Sequence, residues 1–484
     1  MGNNSQQLHL FFLPGMAHGH MIPTLDMAKL FASRGITATI ITTPFNEPVF
    51  SSAVRKYTEL GHQIQIRLVE FPGVQLGLPE NCQRVDQLPS RESIPTFMKA
   101  CSLLQQPLEA LLEELRPDCL VADMFFPWAT AAAAKFGIPR LVFHGTNCVS
   151  LCASHSLATH KPYKNVSCDS EPFTIPNLPH QLKLTRVQVP DHQRGGGDEH
   201  PMTAFMNQVR YADEISYGVI FNSFYELEPE FAEYYRKVLG RKSWMVGPFS
   251  LLNRDMEDKS LRGKKSSIGE TECMDWLDSK KPNSVVYVCF GSIANFAVSQ
   301  LKEMAAGIES SGQDFIWVIR NKREEDNGKE EWMPEGFEKR TEGRGLIIRG
   351  WAPQVLILEN PAVGAFVTHC GWNSTLEGIC AGVPMVTWPV FAEQFINEKL
   401  VTDVLRTGVG VGSKEWKPVD SDGVKKEDIA EAIKKVMVGP ESGEMRNRAA
   451  ALKNSARKAI ENGGSSFSDL TYLLDELRTN RAKQ

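Results

Sequence analysis

Short apolar runs with β character alternate with helical stretches along this chain, in two series separated by a polar interval. The first series holds LHLFFLP at 8–14, TATIITT at 37–43, DCLVAD at 118–123 and RLVFH at 140–144. The second holds SVVYVCFGS at 284–292, FIWVIR at 315–320, GLIIRGW at 345–351, GAFVTH at 364–369 and PMVTWP at 384–389. Strands reached through helical crossovers pair in parallel, so each series predicts a parallel sheet flanked by helices. From Pro248 to Glu272 the chain turns polar, with Arg254, Asp255, Glu257, Asp258, Lys259, Arg262, Lys264 and Lys265 among few apolar residues. That composition reads as a linker. The expected division is therefore an N-terminal α/β unit at 1–247, a linker at 248–272, a second α/β unit at 273–461 and a closing helix within 462–484. That helix carries Phe467, Leu470, Leu474 and Leu477 on one face. The first helix is expected from about Pro23 to Ser33, with proline at its first position and Gly35 past its end. Val187 to His200 and Asn321 to Glu331 read as solvated surface loops.

Composition narrows the function. With 484 residues, 42% hydrophobic and 9% aromatic, the chain has enough apolar side chain for well-formed cores. A net charge of −5 gives no broad basic surface, so nucleic acid and anionic membranes are not expected partners. Ten cysteines include no CxxC pair, and the nearest two, Cys148 and Cys152, sit in an apolar helix-like stretch. Neither a disulfide framework nor a zinc site is indicated. No basic segment leads a long apolar run at the N-terminus, and no stretch has the length of a bilayer-spanning helix. A cytosolic monomer without membrane insertion is expected. Sequons at Asn3, Asn165 and Asn373 are then chance matches.

The densest segment runs from Trp351 to Gln394. Its centre, GAFVTHCGWNSTLEG, reads as strand, glycine turn and helix. A helix N-terminus presents unpaired backbone N–H groups and about half a positive charge, so a diphosphate can dock there beside His369, Asn373 and Ser374. Trp351 offers a flat face for a base, and Glu377 a carboxylate for ribose hydroxyls.

Over its whole length this segment resembles the signature of plant secondary-product UDP-glycosyltransferases, from its opening Trp to its closing Gln. The resemblance implies the GT-B architecture, two Rossmann-like α/β domains facing across a cleft, with the last helix crossing back onto the first domain. It also implies roles. Trp351 corresponds to the uracil-stacking residue, Ala352 to a uracil backbone contact, and Gln354 and Glu377 to ribose contacts. His369, Asn373 and Ser374 correspond to diphosphate ligands, and Trp372, Glu393 and Gln394 to contacts with the sugar hydroxyls. The family more often has Asp where Glu393 stands. A terminal Gln and a Trp at 372 resemble glucosyl enzymes, so UDP-glucose is the expected co-substrate, with no separate cofactor.

Transfer to a hydroxyl also needs a base. HGHMIP places His18 and His20 at the mouth of the first sheet, where open parallel sheets bind ligands. His20 is the expected base, with His18 the other candidate; a helix N-terminus is expected to keep its ring neutral. Asp123, ending the strand DCLVAD among apolar residues, needs a partner, and in the family the matching His and Asp form the catalytic pair. Attack opposite UDP implies inversion, giving a β-glucoside. Ser292 resembles the family's phosphate-side hydroxyl, and Thr146 a residue that reaches the sugar. Asp420 and Asp422 form a DxD, the spacing of metal-dependent transferases, but they fall in a polar loop ahead of a helix, and no metal is expected.

Two other readings have weaker support. Gly408, Gly410 and Gly412 lack the spacing and strand context of a dinucleotide fingerprint. A protein that binds a nucleotide sugar without turning it over would not need His20 and Asp123 together. The acceptor is expected to be small, flat and apolar: a flavonoid or other phenolic by resemblance, with a triterpenoid or steroid as the alternative. Phe125, Phe126 and Phe391 are candidate walls of its pocket.

Overall fold

The computed structural model describes residues 7–195, 200–253, 258–259, 262–264, 266–319, 331–417, 419–420 and 423–483. Arg254, Asp255, Glu257 and Lys265 of the polar stretch, most of the 321–331 loop, Asp422 and Asn3 lie outside them.

Strands β1 (His9–Leu13), β2 (Thr37–Thr42), β3 (Ile64–Leu68), β4 (Cys119–Asp123) and β5 (Arg140–Phe143) lead the chain. A hairpin of β6 (Pro172–Thr174) and β7 (Lys183–Thr185) follows, then β8 (Gly218–Phe221) and β9 (Ser243–Met245). Apart from the hairpin these form one seven-stranded sheet in the order β3-β2-β1-β4-β5-β8-β9, every pairing parallel. The second half supplies β10 (Val285–Cys289), β11 (Asn295–Phe296), β12 (Asp314–Ile319), β13 (Gly345–Arg349), β14 (Val363–Thr368), β15 (Met385–Thr387), β16 (Gly408–Gly410) and β17 (Val419–Asp420). Six of them make a second parallel sheet, β13-β12-β10-β14-β15-β16. All the apolar runs read from the sequence are strands here. β3 and β16, at sheet edges, escaped that reading, as did β8 and β9 of the first sheet. β3 buries only Ile64 and carries Gln65 and Arg67 outward, and β16 is a glycine run. Gly408 is required there because a Cβ would stand 2.5 Å from the Met385 carbonyl.

In each sheet the strand order reverses direction beside the first strand, between β1 and β4 and between β10 and β14. Such reversals splay the following helices apart and open a crevice at the carboxyl ends of the strands. Both crevices receive the residues discussed below.

Helix α1 (His18–Ser33) begins five residues before the expected Pro23 start. Pro23 lies inside it, because the local turn after Gly15 already starts helical bonds from His20 and Met21 to the Ala17 carbonyl. Proline has no N–H to give the carbonyl four residues back. That carbonyl, Gly19, instead accepts a hydrogen bond from the Asn373 amide at 2.6 Å, a contact between the two halves.

The closing helix, Ser465–Arg481, buries Leu470, Leu473, Leu474 and Leu477 against the first sheet, among Leu10, Ile220 and Trp244. Phe467 lies outside that core, its ring 4.1 Å from the Arg34 guanidinium carbon. Each buried leucine contributes roughly 1.5–3 kcal/mol of transfer free energy. Leu474→Ala is expected to cost about 2–5 kcal/mol, read by chemical denaturation. A loss below about 0.5 kcal/mol would mean this helix detaches freely. Among the described residues no helix is long and apolar enough to cross a membrane.

Candidate active site

At the first crevice, β1 runs into α1 and brings His20 over the end of β4. The His20 Nδ1 lies 2.6 Å from Asp123 Oδ2, and the other carboxylate oxygen accepts the Phe125 backbone N–H at 3.0 Å. Asp123 is 1% exposed, whereas the His20 side chain keeps 20% of its surface open. Two glycines make room for the pair. A Cβ on Gly15 would meet Asp123 Oδ1 at 2.8 Å, and one on Gly145, at φ +67°, would meet His20 Cε1 at 3.0 Å. Burial works against the imidazolium, but the charge and hydrogen bond of Asp123, with a smaller contribution from Glu393, raise the His20 pKa above 6.5. The carboxylate thus outweighs burial and favours the charged ring, opposite in direction to the neutral ring expected from a helix N-terminus. His18 also lines the cleft but is directed at a different carboxylate. Its Nδ1 is 3.6 Å from Asp86, its ring centre is 5.8 Å from that of Trp351, and burial lowers its pKa.

At the second crevice, β14 ends at Thr368, and Cys370, at φ +64°, turns the chain into the helix Trp372–Ala381. His369 sits in that turn between two glycines. A Cβ would come within 2.8 Å of its ring from Gly291 and 2.5 Å from Gly371. Burial pushes its pKa down to about 4, so the ring is neutral at pH 7, and Nδ1 has no hydrogen-bond partner among the described residues. A neutral imidazole beside the open first turn of a helix can donate to an anion without adding a buried charge.

The two crevices open into one cleft of about 650 Å³. His20, Thr146, Ser292, Trp351, Ala352, Gln354, His369, Trp372, Asn373, Ser374, Glu377, Glu393 and Gln394 all line it, as do Phe125 and Phe391. Phe126 does not. It is fully buried and packs edge-on against Trp128 in the core behind the sheet, where the turn after β4, closed by the Phe126 N–H on the Asp123 carbonyl at 3.1 Å, carries it. It is withdrawn as an acceptor wall.

Several expected sugar and phosphate contacts are partly committed within the protein. The Trp372 indole, 2% exposed, donates to the Asn222 carbonyl at 2.8 Å, leaving its backbone rather than its ring for a ligand. Gln394 Oε1 accepts the Val390 and Phe391 backbone N–H groups, both at 2.9 Å, which leaves its amide nitrogen available. Glu377 accepts from Gln354 at 2.7 Å and from Arg262. Burial raises the Glu393 carboxyl pKa against its hydrogen bonds and the charge of His20.

Three features were invisible in the sequence. Arg262 looked like one more charge of a polar stretch, yet it lies in the cleft. Trp416 also lines the cleft; its indole donates to Ala392 O at 3.0 Å and its backbone N–H to Val187 O at 2.8 Å, joining the two halves at the mouth. His144, one residue from Gly145, is buried with Nε2 3.3 Å from Asp213. Only the FHGT strand end hinted at it.

A helix-end anion seat on one parallel sheet facing a histidine–carboxylate pair on another defines a glycosyltransferase of the two-domain GT-B kind. A family model described as "UDP-glucoronosyl and UDP-glucosyl transferase" matches residues 219–448. Scopoletin glucosyltransferase from Nicotiana tabacum is 64% identical over 473 residues, 98% of each chain. UDP-glucose flavonoid 3-O-glucosyltransferase 7 from Fragaria ananassa is 54% identical over 481 residues, 98% of this chain and 96% of its own. The crystal structure of Glycyrrhiza uralensis UGT73P12 with glycyrrhetinic acid 3-O-monoglucuronide aligns at TM-score 0.92 and 44% identity, covering 99% of this chain and 97% of that one. Medicago truncatula UGT71G1 with UDP-glucose aligns at TM-score 0.79 and 26% identity, covering 99% and 100%. The chain belongs to the UDP-glycosyltransferase family, as an enzyme akin to the plant secondary-product glucosyltransferases.

Proposed function

We propose that this enzyme transfers glucose from UDP-glucose to a phenolic hydroxyl of a small apolar plant metabolite, with inversion at the anomeric carbon. The observation that carries this reading is the His20–Asp123 pair opening into the same cleft as the full donor signature. In the reaction, Trp351 and Ala352 take the uracil, and Gln354 and Glu377 the ribose. His369, Ser374, Ser292 and the first turn of the helix Trp372–Ala381 take the diphosphate and the charge that develops on departing UDP. Asn373 already holds Gly19, so it joins the donor site to α1 as well as facing the phosphates. Glu393, the Gln394 amide nitrogen, the Trp372 backbone and Thr146 address the sugar. His20 takes the acceptor proton through Nε2, and Asp123 fixes the tautomer and balances the imidazolium that forms. The acceptor oxygen bonds to the anomeric carbon as the bond to UDP breaks, giving a β-glucoside and UDP.

A phenol suits this site because it ionises more readily than an alcohol, and the named relatives act on scopoletin and flavonoids. Phe125, tilted 5.2 Å from the His20 ring, and Phe391 supply flat apolar surface beside the base. Incubating the purified enzyme with UDP-glucose and a panel of coumarins, flavonols and simple phenols, with product mass and anomeric coupling recorded, tests the reading. Tight UDP-glucose binding with no glucoside from any phenol would sink it.

A triterpenoid acceptor is the second reading. The structure aligned at TM-score 0.92 holds a triterpenoid glucuronide, and the pocket here includes Met124, Met202 and Met206, whose flexible side chains adapt to bulky ligands. Competition between a flavonol and a triterpenoid alcohol for one glucose donor separates the two by kcat/KM. Within the donor site, Glu377→Ala is expected to weaken UDP-glucose binding by about 1–3 kcal/mol, measured by calorimetry.

A further inference from the structure

A buried chain of polar contacts links the two sheets, and the proposed reaction uses only its far end. It begins on α1, under two turns from His20, where Asp26 is 2% exposed. Asp26 Oδ1 accepts from Asn253 Nδ2 at 2.9 Å, and Oδ2 accepts from Arg262 Nε at 2.9 Å. The same guanidinium donates through Nη1 to Glu377 Oε1. The other oxygen of Glu377 accepts from Gln354 Nε2 at 2.7 Å, and that nitrogen also reaches Ser374 Oγ at 3.2 Å. One arginine from the polar stretch between the sheets therefore joins two almost buried carboxylates. One carboxylate is on the helix that carries the base, the other on the helix that seats the donor.

This geometry does something a free carboxylate cannot. A carboxylate has about four acceptor positions, and donors on both oxygens of Glu377 fix its plane while leaving lone pairs for a vicinal diol. An unanchored Glu side chain would lose rotamer freedom on binding, and that cost would come out of the affinity. The planar guanidinium also holds both carboxylates at once, which the point charge of a lysine cannot do equally well.

We infer that Arg262 is a positioning residue for ribose recognition: through its bond to Glu377, anchored on Asp26, it sets how strongly the enzyme distinguishes a ribonucleotide sugar from its 2′-deoxy analogue. The inference rests on the reading of Glu377 as the ribose contact. Arg262 does not touch the reacting atoms, so its loss falls on donor KM more than on kcat.

The test compares the full-length enzyme with R262A, R262K, D26N and E377Q, using UDP-glucose and 2′-deoxy-UDP-glucose with one phenolic acceptor. The readout is the ratio of kcat/KM for the two donors. The wild-type enzyme is expected to favour the ribo donor on the order of tenfold or more, as a hydrogen bond to a charged group implies. R262A should collapse most of that ratio through KM, R262K should restore part of it, and D26N should reduce it. A purely structural Arg262 would raise KM for both donors alike and leave the ratio intact, which overturns the inference. If R262A does not fold, R262K and D26N read the same ratio and decide alone. E377Q separates the two levels: if it loses the discrimination while the Arg262 variants keep it, only the role of Arg262 fails. If E377Q keeps it, the ribose reading of Glu377 fails.

Discussion

His20→Ala is expected to reduce kcat on the order of 10²–10⁴-fold with a phenolic acceptor while UDP-glucose still binds, as general-base loss does elsewhere. The separation arises from the architecture. His20 belongs to the β1–α1 crevice and the donor seat to the β14 crevice, so removing the imidazole leaves Trp351, His369 and the open helix end in place. Alcohol acceptors should suffer more than phenols, because a phenol supplies part of its own ionisation. Steady-state kinetics and calorimetry on the same preparation check both halves. Turnover within a few-fold of wild type would remove His20 as the base.

Asp123→Asn carries the second large effect and adds a pH signature. In the proposed reaction the carboxylate, 2.6 Å from His20 Nδ1, holds that proton and stabilises the charge the ring acquires, so the isosteric amide should lower kcat on the order of 10²-fold or more. The sign of the pH shift follows from the same contact. A His20 base must be neutral to act, so kcat/KM is expected to rise with pH through the His20 pKa, which Asp123 and Glu393 raise above 6.5. Without the Asp123 charge, burial dominates and the His20 pKa falls. The acidic limb of the profile should therefore move to lower pH in the variant, with a much lower plateau. An unchanged limb would mean that another group controls it.

His369 gives a control within the same profile. Burial holds it near 4, so it contributes no limb of its own between pH 5 and 8.

The donor half was legible in the sequence because its parts lie close together along the chain. Strand, glycine turn, helix start and the residues proposed for ribose and sugar fall between Trp351 and Gln394, and local chain geometry brings them to one crevice. The strand–helix alternation fixed two parallel sheets for the same reason, since a right-handed crossover leaves little other choice. β3 and β16 were missed because neither shows a continuous apolar run, and the short buried strands β8 and β9 were missed as well.

Contacts across large separations were settled by tertiary packing. His20 and Asp123 are 103 residues apart, and only the pairing of β1 with β4 places them 2.6 Å from each other. The start of α1 at His18, against the proline rule, depends on the turn after Gly15 and on Asn373 satisfying the carbonyl that Pro23 leaves unpaired. Which of two adjacent phenylalanines faces the cleft, Phe125 and not Phe126, depends on how the segment after β4 leaves the sheet. Arg262 shows the difference most clearly. In the sequence it is one charge among several in a polar stretch, and in the folded chain it bridges Asp26 and Glu377. Sequence pattern determined what depends on neighbours within a few turns of chain: the elements, the donor motif and the chemical class. The fold decided the identity of partners, because a buried charge is satisfied by whatever donor three-dimensional packing brings within about 3 Å, and no local pattern records that distance.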